Sequence, residues 1–339
     1  MKSRRSIIPV FVPHLGCPND CVFCNQHRIS GSLTPASPDS VQSALEHALE
    51  LIPPDTETEL AFYGGSFTAI PPLEQERLLG AALPFLNEDK ISSIRVSTRP
   101  DAIDKAALDR LKSFGVQTIE LGAQSMRNEI LMLSKRGHSA QDVIDASALI
   151  KGFGFNLILQ MMTGLPGDDI SGAEYTARQI CDICPDGVRI YPTVIVKNTT
   201  LHDMWLSGAY QEHTVEDAVC VCSQIVPIFE EHEIPIIRLG LNPTEDLSGG
   251  DAVAGAYHPA LGELVYSRIL RVKMSHLLEG IAAGSDVTIG VHPSKLSQAI
   301  GQKRCNLNVL REKHSLKSLK ITEISCCTEE IRLLSIAKS

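Results

Sequence analysis

Along the chain, short runs rich in β-branched residues alternate with longer stretches whose apolar residues recur at helical spacing. Each short run ends at a turn containing Gly or Pro, which is the pattern of repeated βα units and a parallel sheet. Strands are predicted at Ile7–Pro13, Glu59–Tyr63, Ser93–Ser97, Thr118–Gly122, Phe155–Met161 and Val188–Pro192, with a further one at Ile234–Leu239. Helices are predicted between them, among them Pro38–Leu51 and Ala102–Ser113. The fold class is therefore α/β. Around Asn242–Gly255 the sequence turns rich in Gly, Ser, Asp and Pro, which predicts a boundary between a large domain, 1–244, and a small C-terminal α/β domain, 245–339.

Composition narrows the function classes. The 339 residues are 43% hydrophobic and 21% charged, enough to bury a core and too apolar for a disordered tail. A net charge of −9 argues against wrapping long nucleic acid through a generally basic surface, while leaving room for a local basic patch. No apolar run approaches the roughly 20 residues that span a bilayer, so no membrane is expected. Lys2, Arg4 and Arg5 before Ile7–Val12 mimic the start of a secretory signal, but Pro9 and Pro13 interrupt the run and it reads as a strand. Ten cysteines, three of them close together near the start, suggest metal ligation in a reducing compartment; the cytoplasm is the expected location.

The unusual residues fall where the strands end, the place where α/β folds carry their active sites. They are the cysteine loop after the first strand, Gly64-Gly65-Ser66-Phe67 after the second, Thr98-Arg99-Pro100-Asp101 after the third, Gln124 after the fourth and Gly164-Leu165-Pro166-Gly167 after the fifth. Cys17, Cys21 and Cys24 form C-x3-C-x2-C, and three thiolates on so short a tether can hold three corners of a cubane iron-sulfur cluster. A structural zinc site wants four ligands, usually as two C-x2-C pairs, so a zinc knuckle fits the spacing poorly.

With Phe23 before its last cysteine, this run resembles the hallmark of the radical S-adenosylmethionine (radical SAM) superfamily. The resemblance implies a partial (β/α)6-type radical SAM barrel and a 4Fe-4S cluster held by Cys17, Cys21 and Cys24. It implies SAM chelated to the fourth iron, cleaved on one-electron reduction to methionine and a 5′-deoxyadenosyl radical, and an external donor of the flavodoxin or ferredoxin class. Gly64-Gly65-Ser66-Phe67 resembles the turn that meets the methionine amino group in that superfamily; glycine lets the backbone approach a ligand closely. Glu120–Ser125, Arg136-Gly137-His138 and Gly164–Gly167 resemble a run shared by the Elongator catalytic subunit and the oxygen-independent coproporphyrinogen oxidases. Ser97-Thr98-Arg99-Pro100-Asp101, Tyr191-Pro192-Thr193-Val194 and Lys197 read more like the Elongator type, and the likeness runs through residues 5–240.

By motif position the resemblance implies cofactor binding by Phe23, Gly64, Gly65, Ser66, Ser97, Gln124 and Arg136. Gln124 and Arg136 would use amide and guanidinium as directional donors to the SAM ribose or carboxylate. Ser97 and Gln160 depart from the pattern, standing where many relatives carry acidic residues. Arg99, Asp101, His138 and Tyr191 are expected to line the same mouth.

Cys181-x2-Cys184, Cys220, Cys222, Cys326 and Cys327 read as incidental thiols. His292–Leu310 resembles the helix-GxxG-helix of a KH nucleic-acid module, with Gly301-Gln302-Lys303-Arg304 as the turn and Arg304 where the second glycine would stand. Lys295, Lys303, Arg304, Arg311, Lys313, Lys317 and Lys320 make this stretch locally basic. The leading expectation is a radical SAM enzyme that modifies RNA, tRNA foremost, without the Elongator subunit's acetyltransferase domain. The alternatives are radical chemistry on a small molecule such as a tetrapyrrole, and a non-catalytic iron-sulfur RNA-binding protein. No heptad pattern predicts an oligomeric state.

Overall fold

The computed structural model describes residues 4–12, 17, 21–25, 36–241, 250–328 and 330–337. The chain divides into two compact units, 1–214 with 227–257, and 215–226 with 258–339. The boundary expected at 244/245 lies outside the described residues.

In the first unit, strands β1 (Arg4–Phe11), β2 (Thr56–Tyr63), β3 (Ser93–Thr98), β4 (Val116–Gln124), β5 (Asn156–Thr163), β6 (Gly187–Pro192) and a later strand, Ile236–Leu239, form one seven-stranded sheet in that spatial order. Every pairing in it is parallel. This is the curled half-barrel sheet of the expected α/β class. Helices α1 (Pro38–Leu51), α2 (Pro72–Asn87), α3 (Lys105–Ser113), α4 (Asn128–Leu133), α5 (Ala140–Gly152) and α6 (Ile170–Ile183) supply the crossovers. Their starts are written locally. Ser37 and Ser40 close a capping box on α1, Ser139 and Asp142 one on α5, and Asp169 caps α6 through the Gly172 amide. The helix expected over Ala102–Ser113 begins only at Lys105, because the Asp104 carboxylate caps it by accepting from the Ala107 amide at 2.7 Å.

A short strand β7 (Val194–Val196) follows β6, then α7 (Thr200–Leu206) and α8 (Val215–Glu231), which carries Pro227 in its interior. Next come β8 (Ile236–Leu239), the seventh strand of the sheet, and β9 (Ala252–Gly255), which pairs antiparallel with β7. The alternation of β3 places Ile94, Val96 and Thr98 in the packed layer, while Ser93, Arg95 and Ser97 take the other face.

The second unit holds α9 (Leu261–Leu277), β10 (Asp286–Val291), α10 (Leu296–Ile300), α11 (Cys305–Lys313), β11 (Ser318–Glu323) and β12 (Ile331–Ala337). Its sheet runs β11-β10-β12, with β10 and β11 parallel and β12 antiparallel to β10. Leu270, Met274, Val287, Ile289, Val291, Leu307, Leu310 and Ile321 belong to a core of its own. Among the described residues no helix is long and apolar enough to cross a membrane.

Candidate cofactor site at the strand ends

The cysteine loop is fastened by backbone and apolar contacts. Val22 donates to the Ser134 carbonyl at 3.2 Å and accepts from the Leu201 amide at 2.7 Å, and Cys24 closes a turn onto Cys21 at 3.0 Å. Val22 packs with Ile195, Leu201 and Tyr210, with Phe23 and Trp205 alongside. Phe23 therefore serves as part of the anchor of the loop. Cys21 is buried, Cys17 and Cys24 are partly exposed, and none of the three is in a disulfide. Among the described residues no three His, Cys, Asp or Glu side chains are grouped to hold a single metal ion. A cubane asks for a different arrangement, one thiolate on each of three irons.

The turn after β2 carries Gly64 at φ +85°, where a side chain would be strained and its Cβ would meet the Phe11 ring at 3.3 Å. Ser66 is buried beyond it, and Phe67 packs on Phe62 with ring centroids 4.9 Å apart. The turn is tied to the end of β3 through Thr68, whose hydroxyl lies 2.6 Å from that of Thr98. Fully buried Gln75 holds it from below, donating to the carbonyls of Thr68 at 3.0 Å and Ile70 at 2.6 Å. Gln75 and Thr68 escaped the sequence reading, since a glutamine in a helix carries no signal of what it braces.

The end of β4 is irregular. The register against β5 shifts between Gly122 and Gln124, and Gln124 takes a left-handed φ of +66°. A strained non-glycine residue at a strand end is a mark of a site held in place by its surroundings. Here the surroundings are close: a Cβ on Gly122 would stand 2.8 Å from the Gln124 amide nitrogen and 3.0 Å from Arg136 Nη2. Arg136 reaches across this bare strand, donating through Nη2 to the Gly122 carbonyl at 2.8 Å and through Nη1 to Cys21 Sγ at 3.4 Å. Gln124, Arg136 and Cys21 are thus brought together by Gly122.

Arg99 and Asp101 form a two-point ion pair, Nε to Oδ1 at 2.5 Å with Nη2 against Oδ2. Burial alone would pull the Arg99 guanidinium down, but Asp101 and then the thiols of Cys17 and Cys21 outweigh it and raise its pKa. Its Nη1 is buried and makes no hydrogen bond. His138 lies in the same neighbourhood, its Nε2 donating to the Ala123 carbonyl at 3.2 Å. Burial first, and then the positive charge of Arg136, push its pKa down to about 4, so the ring is neutral at physiological pH.

Tyr191 is part of a buried polar network, where burial and then Arg189 and Glu120 act on its hydroxyl. At its centre is Glu120, 0% exposed, which accepts from Arg95 at 2.6 Å, Arg189 at 2.9 Å, Tyr63 at 3.3 Å and Gln160 at 2.7 Å. Gln160 is committed to this network, and Ser97 shares a face of β3 with Arg95. Arg95 also pairs with Glu59 at 2.6 Å, so two carboxylates face two guanidinium groups and the buried charges balance. The remaining strand end, β5, is closed by Gly164 at φ +73°, where a Cβ would fall 2.2 Å from the His213 ring, and by Tyr210, whose hydroxyl donates to the Gly164 carbonyl at 2.7 Å.

The donor set suits an anionic, thiolate-bound group. Arg136 donates to the Cys21 thiol, and the Arg99 guanidinium, whose Nη1 is buried without a hydrogen bond, is influenced by Cys17 and Cys21.

Residues 11–180 match the family model of the radical SAM superfamily, and residues 185–271 that of the radical SAM C-terminal domain. A tRNA uridine(34) acetyltransferase of Methanocaldococcus infernus is 30% identical over 233 residues, 63% of this chain and 43% of its own length. Elongator complex protein 3 of Homo sapiens is 30% identical over 186 residues, 53% of this chain and 32% of its own. The solved structure of the Methanocaldococcus infernus Elp3 superposes with a TM-score of 0.63 at 26% identity, covering 80% of this chain and 64% of that one. The chain spans less than half the length of these two curated relatives. With the cysteine loop, the glycine turn and the β4 irregularity all at the strand ends of a curled parallel sheet, the chain belongs to the radical SAM superfamily, whose enzymes use a 4Fe-4S cluster and SAM.

Proposed function

We propose that this enzyme directs its radical chemistry at RNA, with tRNA the first substrate to test. The observation that carries the site assignment is Arg136, hydrogen-bonded at once to Cys21 Sγ and to the Gly122 carbonyl. It joins the cysteine loop to the strand end where Gln124 sits. Cys17, Cys21 and Cys24 would hold the cluster, and Gly64, Gly65 and Ser66 would offer backbone groups to the methionine end of SAM. Gln124 and Arg136 would orient its ribose or carboxylate. When bound, the cluster supplies the electron that breaks a carbon–sulfur bond of SAM. The chain's own part is to fix SAM against that electron source, to keep a positive field beside the thiolates through Arg99 and Arg136, and to keep His138 neutral behind them. An external one-electron donor of the flavodoxin or ferredoxin class would reduce it in the cytoplasm. RNA as the substrate class is supported by the similarity to tRNA uridine(34) acetyltransferases over 63% of the chain.

The test is anaerobic purification, iron and sulfide reconstitution, and measurement of 5′-deoxyadenosine after adding SAM and dithionite. Wild type is expected to form it and Cys21→Ala to form none. Adding total tRNA is expected to raise the rate and leave a new modified nucleoside by mass spectrometry. Cleavage that ignores tRNA and responds to a tetrapyrrole would move the substrate to small molecules. A wild type that binds neither cluster nor SAM would overturn the enzymatic reading.

A further inference from the structure

The turn that follows α4 faces two ways. The Lys135 amide donates to the Met132 carbonyl at 3.0 Å and the Arg136 amide to the Leu131 carbonyl at 2.9 Å, a helix ending whose left-handed residue is usually glycine. Here that residue is Lys135, at φ +52°. Its two neighbours reach the cysteine loop: the Ser134 carbonyl accepts from the Val22 amide at 3.2 Å, and Arg136 Nη1 donates to Cys21 Sγ at 3.4 Å. Lys135 itself is exposed. Three consecutive residues therefore link the outer surface to the cysteine loop by two routes, one on each side of Lys135.

The surface beside Lys135 is apolar and positive. Met132 is 74% exposed and Leu133 51%, two large apolar side chains at the end of one short helix. A single exposed apolar residue needs no explanation, whereas an adjacent pair beside a functional loop marks a contact surface. A shallow cavity of about 570 Å³ opens there, with Asn128, Met132, Lys135, Asp142 and the buried His138 in its lining. Between residues 130 and 138 the only charged side chains are Lys135 and Arg136, both positive. The nearby carboxylates are engaged, Asp142 with Ser139 and Glu129 with Arg127. A lysine also suits the negative end of the helix dipole, but the dipole asks nothing of Met132 and Leu133.

The cofactor reading of the strand ends requires one electron from outside for each SAM cleaved. A small redox protein with an apolar rim around its redox group and carboxylates about that rim complements this patch in both respects. Electron-transfer partners bind through areas at the small end of protein interfaces, so a patch of this extent suffices. Opposite charge then speeds the encounter. RNA would match the lysine but not the aliphatic pair, which offers its bases no ring to stack on.

We infer that an acidic, flavin-carrying one-electron donor protein docks on Met132, Leu133 and Lys135, and that its electron passes inward through the Ser134–Val22 and Arg136–Cys21 hydrogen bonds. The reduced flavin is oxidised by one electron, the thiolate-bound iron is reduced by one, and no heavy atom crosses the interface. The inference rests on the cofactor reading and adds where its electron comes in.

The test uses the full chain, reconstituted with iron and sulfide and supplied with SAM, and compares two reductants. One is dithionite, which is small and needs no docking surface; the other is a bacterial flavodoxin kept reduced by its NADPH-dependent reductase. Lys135→Glu and Met132→Glu are expected to slow flavodoxin-driven 5′-deoxyadenosine formation by about tenfold and to leave the dithionite-driven rate unchanged. Lys135→Gly removes the charge while placing at the left-handed position the residue that suits it. A lower flavodoxin-driven rate with an undiminished thermal midpoint is expected there, which separates lost docking from misfolding. Anisotropy of fluorescein-labelled flavodoxin, titrated with each reconstituted variant, is expected to show affinity about tenfold weaker in Lys135→Glu, and less dependent on salt than in wild type. Equal flavodoxin-driven rates and affinities in wild type and Lys135→Glu overturn the inference. So does an equal loss of the dithionite-driven rate in the variants, which would place the patch inside the cofactor site. Displacement of flavodoxin by tRNA from wild type, with tRNA binding lost in Lys135→Glu, would assign the patch to RNA instead. A wild-type dimer that Met132→Glu dissociates in sedimentation would assign it to a second copy of the chain. A wild type that cleaves no SAM even with dithionite overturns the cofactor reading itself, so the two failures are distinguishable.

Discussion

His138 shows how one buried side chain ties the cofactor site to pH. Its Nε2 is held by the Ala123 carbonyl, so the proton sits on that nitrogen and Nδ1 is left buried without a partner. Burial first, then Arg136, hold its pKa at about 4 against an ordinary 6.5. In the unfolded chain the ring takes up a proton as pH falls through about 6.5, while in the fold it stays neutral until about 4. The unfolded state binds more protons across that window, so stability is full above it and declines as pH drops from about 6.5 to about 4. The shift caps this contribution at about 3 kcal/mol, at roughly 1.4 kcal/mol for each unit. His138→Gln keeps a donor for the Ala123 carbonyl and loses the titration. Thermal midpoints at pH 7 and pH 5 are expected to fall further in wild type than in the variant; parallel declines would show that other groups set the pH response.

At the scale of the element, the end of β4 carries a matched set of departures from regular strand: Gly122 without a side chain, a register shift, and Gln124 in left-handed backbone. Gly122→Ala would bring a methyl group 2.8 Å from the Gln124 amide nitrogen and 3.0 Å from Arg136 Nη2. Both neighbours are the ends of flexible side chains, so the strand is expected to survive and the two donors to move. The expected result is near-normal iron content with SAM affinity about tenfold weaker, the scale of one misplaced hydrogen bond, measured by equilibrium dialysis. Unaltered affinity would mean that neither donor contacts SAM. The strands themselves were legible in the sequence because alternation and turn residues are local: Ser93–Ser97 was expected and Ser93–Thr98 is found. The cysteine spacing and the glycine turn are equally local. The Glu59–Arg95–Glu120–Arg189 network was not, because its members lie on different strands and meet only when the sheet curls.

At the scale of the whole molecule, the sequence drew one boundary, whereas the chain passes between its units at 214/215, 226/227 and 257/258. No composition shift marks the first two positions, since they fall at the start and in the interior of a single helix, α8. Each unit nevertheless has its own apolar core, and the only tryptophan, Trp205, lies in the first. That placement allows the two cores to be read separately. Ile289 is fully buried in the core of the second unit. Ile289→Ala leaves a cavity there and is expected to destabilise that unit by about 2–5 kcal/mol. In urea, far-ultraviolet circular dichroism reports both units and tryptophan fluorescence reports the first. The variant is expected to lose part of its dichroism at lower urea while the fluorescence midpoint stays at the wild-type value. 5′-Deoxyadenosine formation without RNA should persist through that early loss. A fluorescence midpoint that moves together with the dichroism would instead show that the two cores unfold as one cooperative body.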